Sequence, residues 1–257
     1  MLVAAAVCPG PPLLVPEVAA GAAPELDAAR AACAEALGRL AAARPERLLV
    51  LGPADRERRG SHPQGTRGSF RAFGVDLEVQ LGAGEPGGSA LPPSLAVGAW
   101  LLGAYGPAVV PVAGLGVGEP LETPRCLEAG ARAAAGAERL AMLVLGEGSA
   151  CRTLKAPGYL DERATAFDAA AARALGGADA EALAALDAEL AQELKAAGRA
   201  PWQVLAGAAG ETALHGELLY EDAPYGVGYL VASWTTDDGR RTTDDGRLTR
   251  SLGAERP

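Results

Sequence analysis

The feature that most constrains the fold is a short apolar run that ends abruptly in prolines. The apolar residues 2–7 are followed by CPGPPLLVPE, residues 8–17, in which four positions are proline. Proline removes a backbone donor and fixes φ, so this segment can form neither a helix interior nor a central strand. The pattern predicts a buried strand that ends in a rigid, extended loop. Such loops are where α/β proteins place binding and catalytic residues.

The rest of the chain alternates between strand and helix patterns. Apolar residues at roughly 3.6-residue spacing predict a helix over residues 24–43, and LLVL at 48–51 predicts a buried strand. Further strands are predicted within 73–81 and over 108–112, 140–145 and 226–234, and further helices over 95–105, 125–135, 160–175, 179–197 and 201–210. This alternation predicts an α/β fold of three layers, with a mostly parallel or mixed central sheet and helices on both faces.

Local signals refine this outline. Asp179 is a suitable N-cap and Gly198 a suitable C-terminal residue for the helix over 179–197. The glycine-rich GLGVG at 114–118 lacks the Lys-Ser/Thr pair of a phosphate-binding loop, so a flexible turn between a strand and a helix is predicted there. One domain is predicted over residues 1–234. The tail, 235–257, contains TTDDGR twice and is predicted to be disordered.

Charge and composition exclude several function classes. Lys and Arg number 23 against 32 Asp and Glu, for a net charge of −9, which argues against a nucleic-acid partner. No apolar run approaches the ~20 residues of a membrane span, and the apolar start lacks the basic region of a signal peptide. The four cysteines are widely separated and include no C-x-x-C pair, which predicts free thiols. These features predict a cytoplasmic protein.

The loop after the strand at 140–145 is the most polar of the candidate sites. Its sequence GEGSACRTLK, residues 146–155, contains Glu147, Ser149, Cys151, Arg152 and Lys155. Two basic side chains near a thiol would lower the thiol pKa and raise its nucleophilicity. The alternative interpretation, which we favour here, is a turn with an incidental cysteine.

The other candidates offer less. Cys8 also follows a strand, so Cys8 and Cys151 could face one cleft. At least one of the two thiols would then react faster than free cysteine. The alternative is that both thiols are buried and inert.

The two histidines lie far apart. His62 falls in a loop predicted to be mobile, and His215 follows Glu211 by four residues, as in a helix-surface pair. No spacing supports a catalytic triad.

Four segments together resemble a known superfamily. They are CPGPPLLVPEV, LLVLGP, VLGEGSACR and APYGVGYLVA, and they are similar to the class III extradiol ring-cleavage dioxygenases, most of all to the LigB-like domains of an actinobacterial branch, which is related to the Memo-type proteins. The resemblance spans nearly the whole chain before the tail. It implies the fold of that superfamily and an Fe(II) site formed by two histidines and a carboxylate, with positions left open for a catechol and O₂.

The metal-binding positions of that superfamily are altered in this chain. Gly10 stands at the histidine position of the Pro-His-Pro-Pro-type loop, and Ala54 stands at the histidine position of the Ser-Pro-His pattern. Ala150 replaces the acid/base histidine of the Gly-Asp-x-Ser-His-type turn, and residues 199–201 contain no carboxylate or thiol. No metal ligand and no cofactor are therefore predicted, although the resemblance implies Fe(II).

The resulting hypothesis is a non-catalytic or repurposed member of the superfamily that binds a small molecule in the former active-site cleft. Ser149, Arg152 and Lys155 would join Gly10, Ala54 and Ala150 in binding it, in one pocket with Glu147 and Cys8 on the wall. Two alternatives are an Fe(II)-dependent ring-cleavage dioxygenase and a metal-free thiol or acid/base enzyme that uses Cys8, Glu147 and Cys151. An alanine-rich helix face would permit a homodimer.

Overall fold

The computed structural model describes residues 1–85, 87–106 and 110–237, which contain nine strands and eight α-helices. The strands are β1 (Leu2–Cys8), β2 (Arg47–Pro53), β3 (Gly60–His62), β4 (Arg67–Ser69), β5 (Glu78–Gln80), β6 (Val112–Val117), β7 (Leu140–Leu145), β8 (His215–Asp222) and β9 (Tyr229–Thr235). The helices are α1 (Pro16–Ala19), α2 (Asp27–Ala42), α3 (Pro93–Tyr105), α4 (Thr123–Ala135), α5 (Arg163–Gly176), α6 (Ala180–Ala184), α7 (Ala188–Glu193) and α8 (Arg199–Ala209).

Seven of the strands form one mixed sheet in the order β3-β6-β2-β7-β1-β9-β8. The four strands β6, β2, β7 and β1 are parallel, with Cys8 opposite Leu145 and Pro53 opposite Val117. The outer strands β3, β9 and β8 each run antiparallel to their inner neighbour. Because the four parallel strands are adjacent, their carboxyl ends lie side by side at one edge of the sheet.

Helices cover both faces of this sheet, which confirms the predicted three-layer α/β class. Along β1, Ala6 and Cys8 pack toward α2 and α3, whereas Ala5 and Val7 pack toward α4, α5 and α8. Small residues allow close approach of the layers: a Cβ added at Gly130 of α4 would collide with the Val204 carbonyl of α8. An alanine-rich core of this kind depends on tight packing between elements rather than on large side chains.

The strand predicted over residues 108–112 is placed differently. The observed strand is β6, and residues 108 and 109 lie outside the described residues. GLGVG was predicted to be a flexible turn, which is wrong, because four of its five residues belong to β6. A Cβ at Gly116 would stand 2.8 Å from the Ala54 Cβ and 2.5 Å from the Arg58 carbonyl oxygen. Glycine is required there for close approach of the loop after β2.

The single helix predicted over residues 179–197 is in fact two short helices, α6 and α7. Asp179 caps α6 as predicted, accepting a hydrogen bond from the Ala182 N–H at 2.9 Å. A second cap, Asp187, accepts from the N–H groups of residues 189 and 190 and starts α7. Gly198 does not end a helix but precedes α8, and the positive φ after α7 belongs to Lys195.

Both histidines occupy strands, contrary to prediction. His62 is buried on β3 with its Nε2 atom 2.9 Å from the Arg58 carbonyl oxygen, so its loop is an ordered edge strand. His215 begins β8 and pairs with Asp237 at 2.5 Å, not with Glu211. Sequence periodicity missed β8 because its two faces do not alternate cleanly and a bulge interrupts its register with β9.

Two further predictions concern segment boundaries. The alternating segment within 73–81 forms a strand only over β5, which pairs with β4 in a separate two-stranded sheet. The predicted disordered tail lies outside the described residues after residue 237, and β9 includes Thr235. Among the described residues, none of the helices combines the length and the apolar character that crossing a membrane requires.

Candidate functional site

The loops that follow the four parallel strands enclose an open cleft of about 530 Å³. Each strand contributes a residue shortly after its end: Gly10 after β1, Ala54 after β2, Glu119 after β6 and Glu147 after β7. The first residues of α3 close the remaining side. The full lining is Gly10, Pro11, Pro12, Pro53, Ala54, Asp55, Arg58, Arg59, Pro93, Ser94, Glu119, Pro120 and Glu147. The carboxyl edge of a parallel sheet is the usual ligand site of α/β proteins.

Glu147 is the most deeply placed ionisable group of the cleft. Its Oε1 atom accepts a hydrogen bond from the Gly10 N–H at 2.6 Å, which links the loops after β1 and β7. Burial raises the pKa of this carboxyl group above its ordinary value, the Gly10 N–H opposes the rise, and the charge of Glu119 adds to it. A carboxyl group with a raised pKa is suited to exchanging a proton with a bound molecule.

The position of Gly10 matches the expectation that it lies in this site. A Cβ added there would be 3.5 Å from Glu147 Oε1 and 3.2 Å from the Leu145 Cβ. A side chain at residue 10 would therefore start beside the Glu147 carboxylate. The absence of a side chain at Gly10 leaves space in the cleft, and the small side chain of Ala54 does so as well. The Ala54 N–H donates to the Val117 carbonyl at 2.7 Å.

The opposite wall of the cleft carries basic side chains. Asp55 and Arg58 form an ion pair, with Arg58 Nε 3.0 Å from Asp55 Oδ2. Arg59 lies against the backbone of Gly118, and its Nε donates to the Ala54 carbonyl at 3.4 Å. Ser94, at the start of α3, donates its hydroxyl to the Pro53 carbonyl at 2.6 Å.

Sequence reasoning missed most of this wall. It set the end of β6 several residues too early and so did not consider Glu119, and it assigned no role to Arg58 or Arg59. The signal that would have found Glu119 is its position two residues after the end of a strand.

Ser149 and Arg152 have a different environment from the one predicted. Both bind Asp168 of α5, a buried residue that no sequence motif singles out. Asp168 accepts hydrogen bonds from the Ser149 N–H at 2.6 Å, from the Ser149 hydroxyl at 2.8 Å and from Arg152 Nη1 at 3.0 Å. These contacts attach the loop after β7 to α5, so Ser149 and Arg152 hold the segment that presents Glu147 and do not line the cleft.

Ala150 and Lys155 also lie away from the cleft lining. The Ala150 N–H donates to the Leu194 carbonyl at 2.9 Å, and its carbonyl accepts from the Gly158 N–H at 2.8 Å. The expectation that Ala150 shares a pocket with Gly10 and Ala54 is therefore wrong, because the chain turns toward α5 directly after Glu147. Lys155 is exposed and does not belong to the lining.

The two candidate thiols do not share a cleft. Cys8 is the last residue of β1 and is buried against α2, where a hydrogen bond with the Cys33 thiol and burial raise its pKa. Cys151 is buried in a small cluster with Phe167 and Leu194, and its Sγ donates to the Leu194 carbonyl at 3.4 Å. Burial raises the pKa of Cys151 as well, which is the opposite of the lowered pKa that neighbouring basic residues predicted.

The donor set of the cleft does not fit the iron site that the superfamily resemblance implies. The positions corresponding to histidine carry Gly10 and Ala54, and the ionisable oxygen donors are the carboxylates of Asp55, Glu119 and Glu147, the first of which is paired with an arginine. Within residues 1–85, 87–106 and 110–237, no three His, Cys, Asp or Glu residues lie together in an arrangement that could hold a metal ion.

Comparisons with known proteins support the fold alone. No family model matches the chain, and no curated protein matches it either. Among solved structures, the chain is similar to the uncharacterized protein JW3007 from Escherichia coli K12. The two share 12% sequence identity with a TM-score of 0.51, over 90% of this chain and 99% of the E. coli chain. This likeness shows a shared architecture and carries no information about activity.

Proposed function

We propose that this protein binds a small molecule in the cleft at the carboxyl edge of its sheet. The observation that carries the proposal is the convergence of four strand-end loops on one cleft, with a partly buried carboxylate, Glu147, held in place by the Gly10 N–H. A preformed concave site with a few fixed polar groups is typical of small-molecule sites. On the resemblance described above, the protein would be a repurposed relative of the extradiol dioxygenases.

Glu147 supports a second candidate, metal-free acid/base catalysis in the same cleft. Burial raises the pKa of the carboxyl group, and among the described residues Gly10 is the only other residue that donates a hydrogen bond to it. A bound hydroxyl, amine or enol could exchange a proton with the carboxylate. The thiol version of this alternative loses its support because Cys8 and Cys151 are buried apart from the cleft.

The iron-dependent alternative rests on the superfamily resemblance, and the residues of the cleft do not fit an iron centre. Anaerobic loading with Fe(II), followed by metal analysis of the desalted protein and O₂ uptake with a catechol, distinguishes iron-dependent ring cleavage from the metal-free binding function. Stoichiometric iron together with catechol-dependent O₂ uptake would overturn the metal-free binding function.

A fragment screen by NMR tests the binding proposal directly. Fragments that bind are expected to shift the amide signals of Gly10 and Ala54. Glu147→Gln should weaken those fragments that carry a hydrogen-bond donor by about tenfold, the usual worth of one hydrogen bond to a charged group. Glu46→Gln is the matched control, since Glu46 is exposed at the opposite edge of the sheet. Hits that shift only amides remote from the cleft would contradict the proposal.

A further inference from the structure

The two arginines of the cleft differ in whether a carboxylate neutralises their charge. Arg58 is paired with Asp55, whereas Arg59 has no carboxylate within ion-pair distance in the part of the chain that the structure describes. The only hydrogen bond of the Arg59 guanidinium there is the long one from Nε to the Ala54 carbonyl. Its two terminal nitrogens therefore have donors to offer to a ligand.

The position of Arg59 depends on a glycine. A Cβ added at Gly118 would stand 2.5 Å from the Arg59 Cζ, so any larger residue at 118 would displace the guanidinium. The planar group lies across the buried Gly118 backbone, directly after β6. The Arg59 side chain is exposed, and this contact places its guanidinium at the wall of the cleft that the loops after β2 and β6 form.

The carboxylates of the cleft limit how much negative charge a bound ligand can carry. Glu147 lies at the junction of the loops after β1 and β7, and Glu119 is exposed at the rim, where the Arg199 guanidinium binds its backbone carbonyl. A ligand with several negative charges would be repelled by these carboxylates, whereas a single carboxylate can bind Arg59. The planar guanidinium matches a carboxylate through two parallel hydrogen bonds.

We infer that the ligand of this cleft is a small organic monoanion, a carboxylic acid that also carries a hydroxyl group or an uncharged aromatic amino group. Its carboxylate binds Arg59, and its hydroxyl or amino hydrogen points to the Glu147 carboxylate. This inference rests on the proposed function and specifies its ligand class. It requires that binding depend on Arg59 and on the negative charge of the ligand.

The experiment compares matched fragments and matched variants. Salicylate and salicylamide, together with a set of other hydroxy-carboxylates and their amides, are titrated into ¹⁵N-labelled protein, and affinity is read from shifts at Gly10, Ala54 and Gly118. We expect the carboxylates to bind more tightly than the amides. Arg59→Gln should weaken the carboxylates by at least about tenfold and leave the amides unchanged. Arg56→Gln, an exposed arginine of the same loop outside the lining, should change neither series.

The outcomes separate this inference from the function on which it rests. If amides and carboxylates bind the cleft equally, and Arg59→Gln changes neither, the ligand class is wrong while the binding function stands. If Arg56→Gln weakens the carboxylates as much as Arg59→Gln does, general charge attraction explains the effect and the inference is overturned. If neither series shifts the cleft amides, both the ligand class and the binding proposal fail.

Discussion

Asp168 gives the sharpest test of how the fold holds the cleft together. This carboxylate is 1% exposed and accepts hydrogen bonds from the Ser149 N–H, the Ser149 hydroxyl and Arg152. Asp168→Ala would leave the buried Ser149 groups without an acceptor, at about 1–3 kcal/mol for each unsatisfied group. The Arg152 side chain is 25% exposed, so water compensates part of its loss. We expect a total loss of about 3–5 kcal/mol, as for a broken buried ion pair.

Urea unfolding followed by tryptophan fluorescence measures this loss. The midpoint should fall for Asp168→Ala with little change in the slope of the transition. Asp168→Asn keeps an acceptor for the Ser149 N–H but removes the charge that Arg152 binds, so about 1–3 kcal/mol is expected. Asp76→Ala is the control, because the ion pair that Asp76 forms with Arg71 is exposed and its loss should cost at most about 1 kcal/mol.

The Asp168→Ala variant also tests whether the contacts of Asp168 support the cleft. Ser149 lies two residues after Glu147, so loosening it should also weaken the hydrogen bond from the Gly10 N–H to Glu147 and shift the Gly10 amide signal upfield. A loss below about 1 kcal/mol for Asp168→Ala, comparable to the Asp76 control, would refute the argument that this ion pair anchors the loop.

The remaining predictions concern the cleft and the thiols. Because the pKa of Glu147 is raised above its ordinary 4.5 in the folded state, the folded protein binds that proton more tightly than the unfolded chain. Wild-type stability should therefore fall relative to Glu147→Gln as pH rises above the ordinary pKa of 4.5, and a pH-independent difference in urea midpoint would contradict this. Gly10→His together with Ala54→His should create Zn(II) affinity measurable by calorimetry, with Glu147 as third ligand, whereas Gly10→His alone should not; a double variant without affinity argues against convergence of the two loops. Cys8 and Cys151 should react with iodoacetamide far more slowly than free cysteine until urea unfolds the chain, and rapid labelling of the native protein would show that these thiols are accessible to solvent.

Elements with a strong local signal were predictable. The prolines after β1 stop that strand whatever the rest of the chain does, and the 3.6-residue spacing of apolar residues defines α2. Elements without such a signal were not. GLGVG lies in a strand because neighbouring residues pack against its glycines, and β8 forms because β9 supplies its hydrogen bonds. Many of these contacts join residues distant in sequence, and they override local propensity.

The same contrast between local sequence signals and long-range contacts applies to the candidate site. Residue identity alone determined that positions 10 and 54 carry no imidazole and that a glutamate follows β7, since these facts do not depend on packing. Only the tertiary structure decided that Gly10, Ala54 and Glu147 share one cleft while Cys8 and Ala150 turn away from it. The physical reason for Cys8 is strand register: a shift of one residue moves a side chain from one face of the sheet to the other, and the register of β1 and β7 is set by hydrogen bonds between segments more than a hundred residues apart. Ala150 lies beyond β7 and turns away because hydrogen bonds from Ser149 to Asp168 attach its loop to α5.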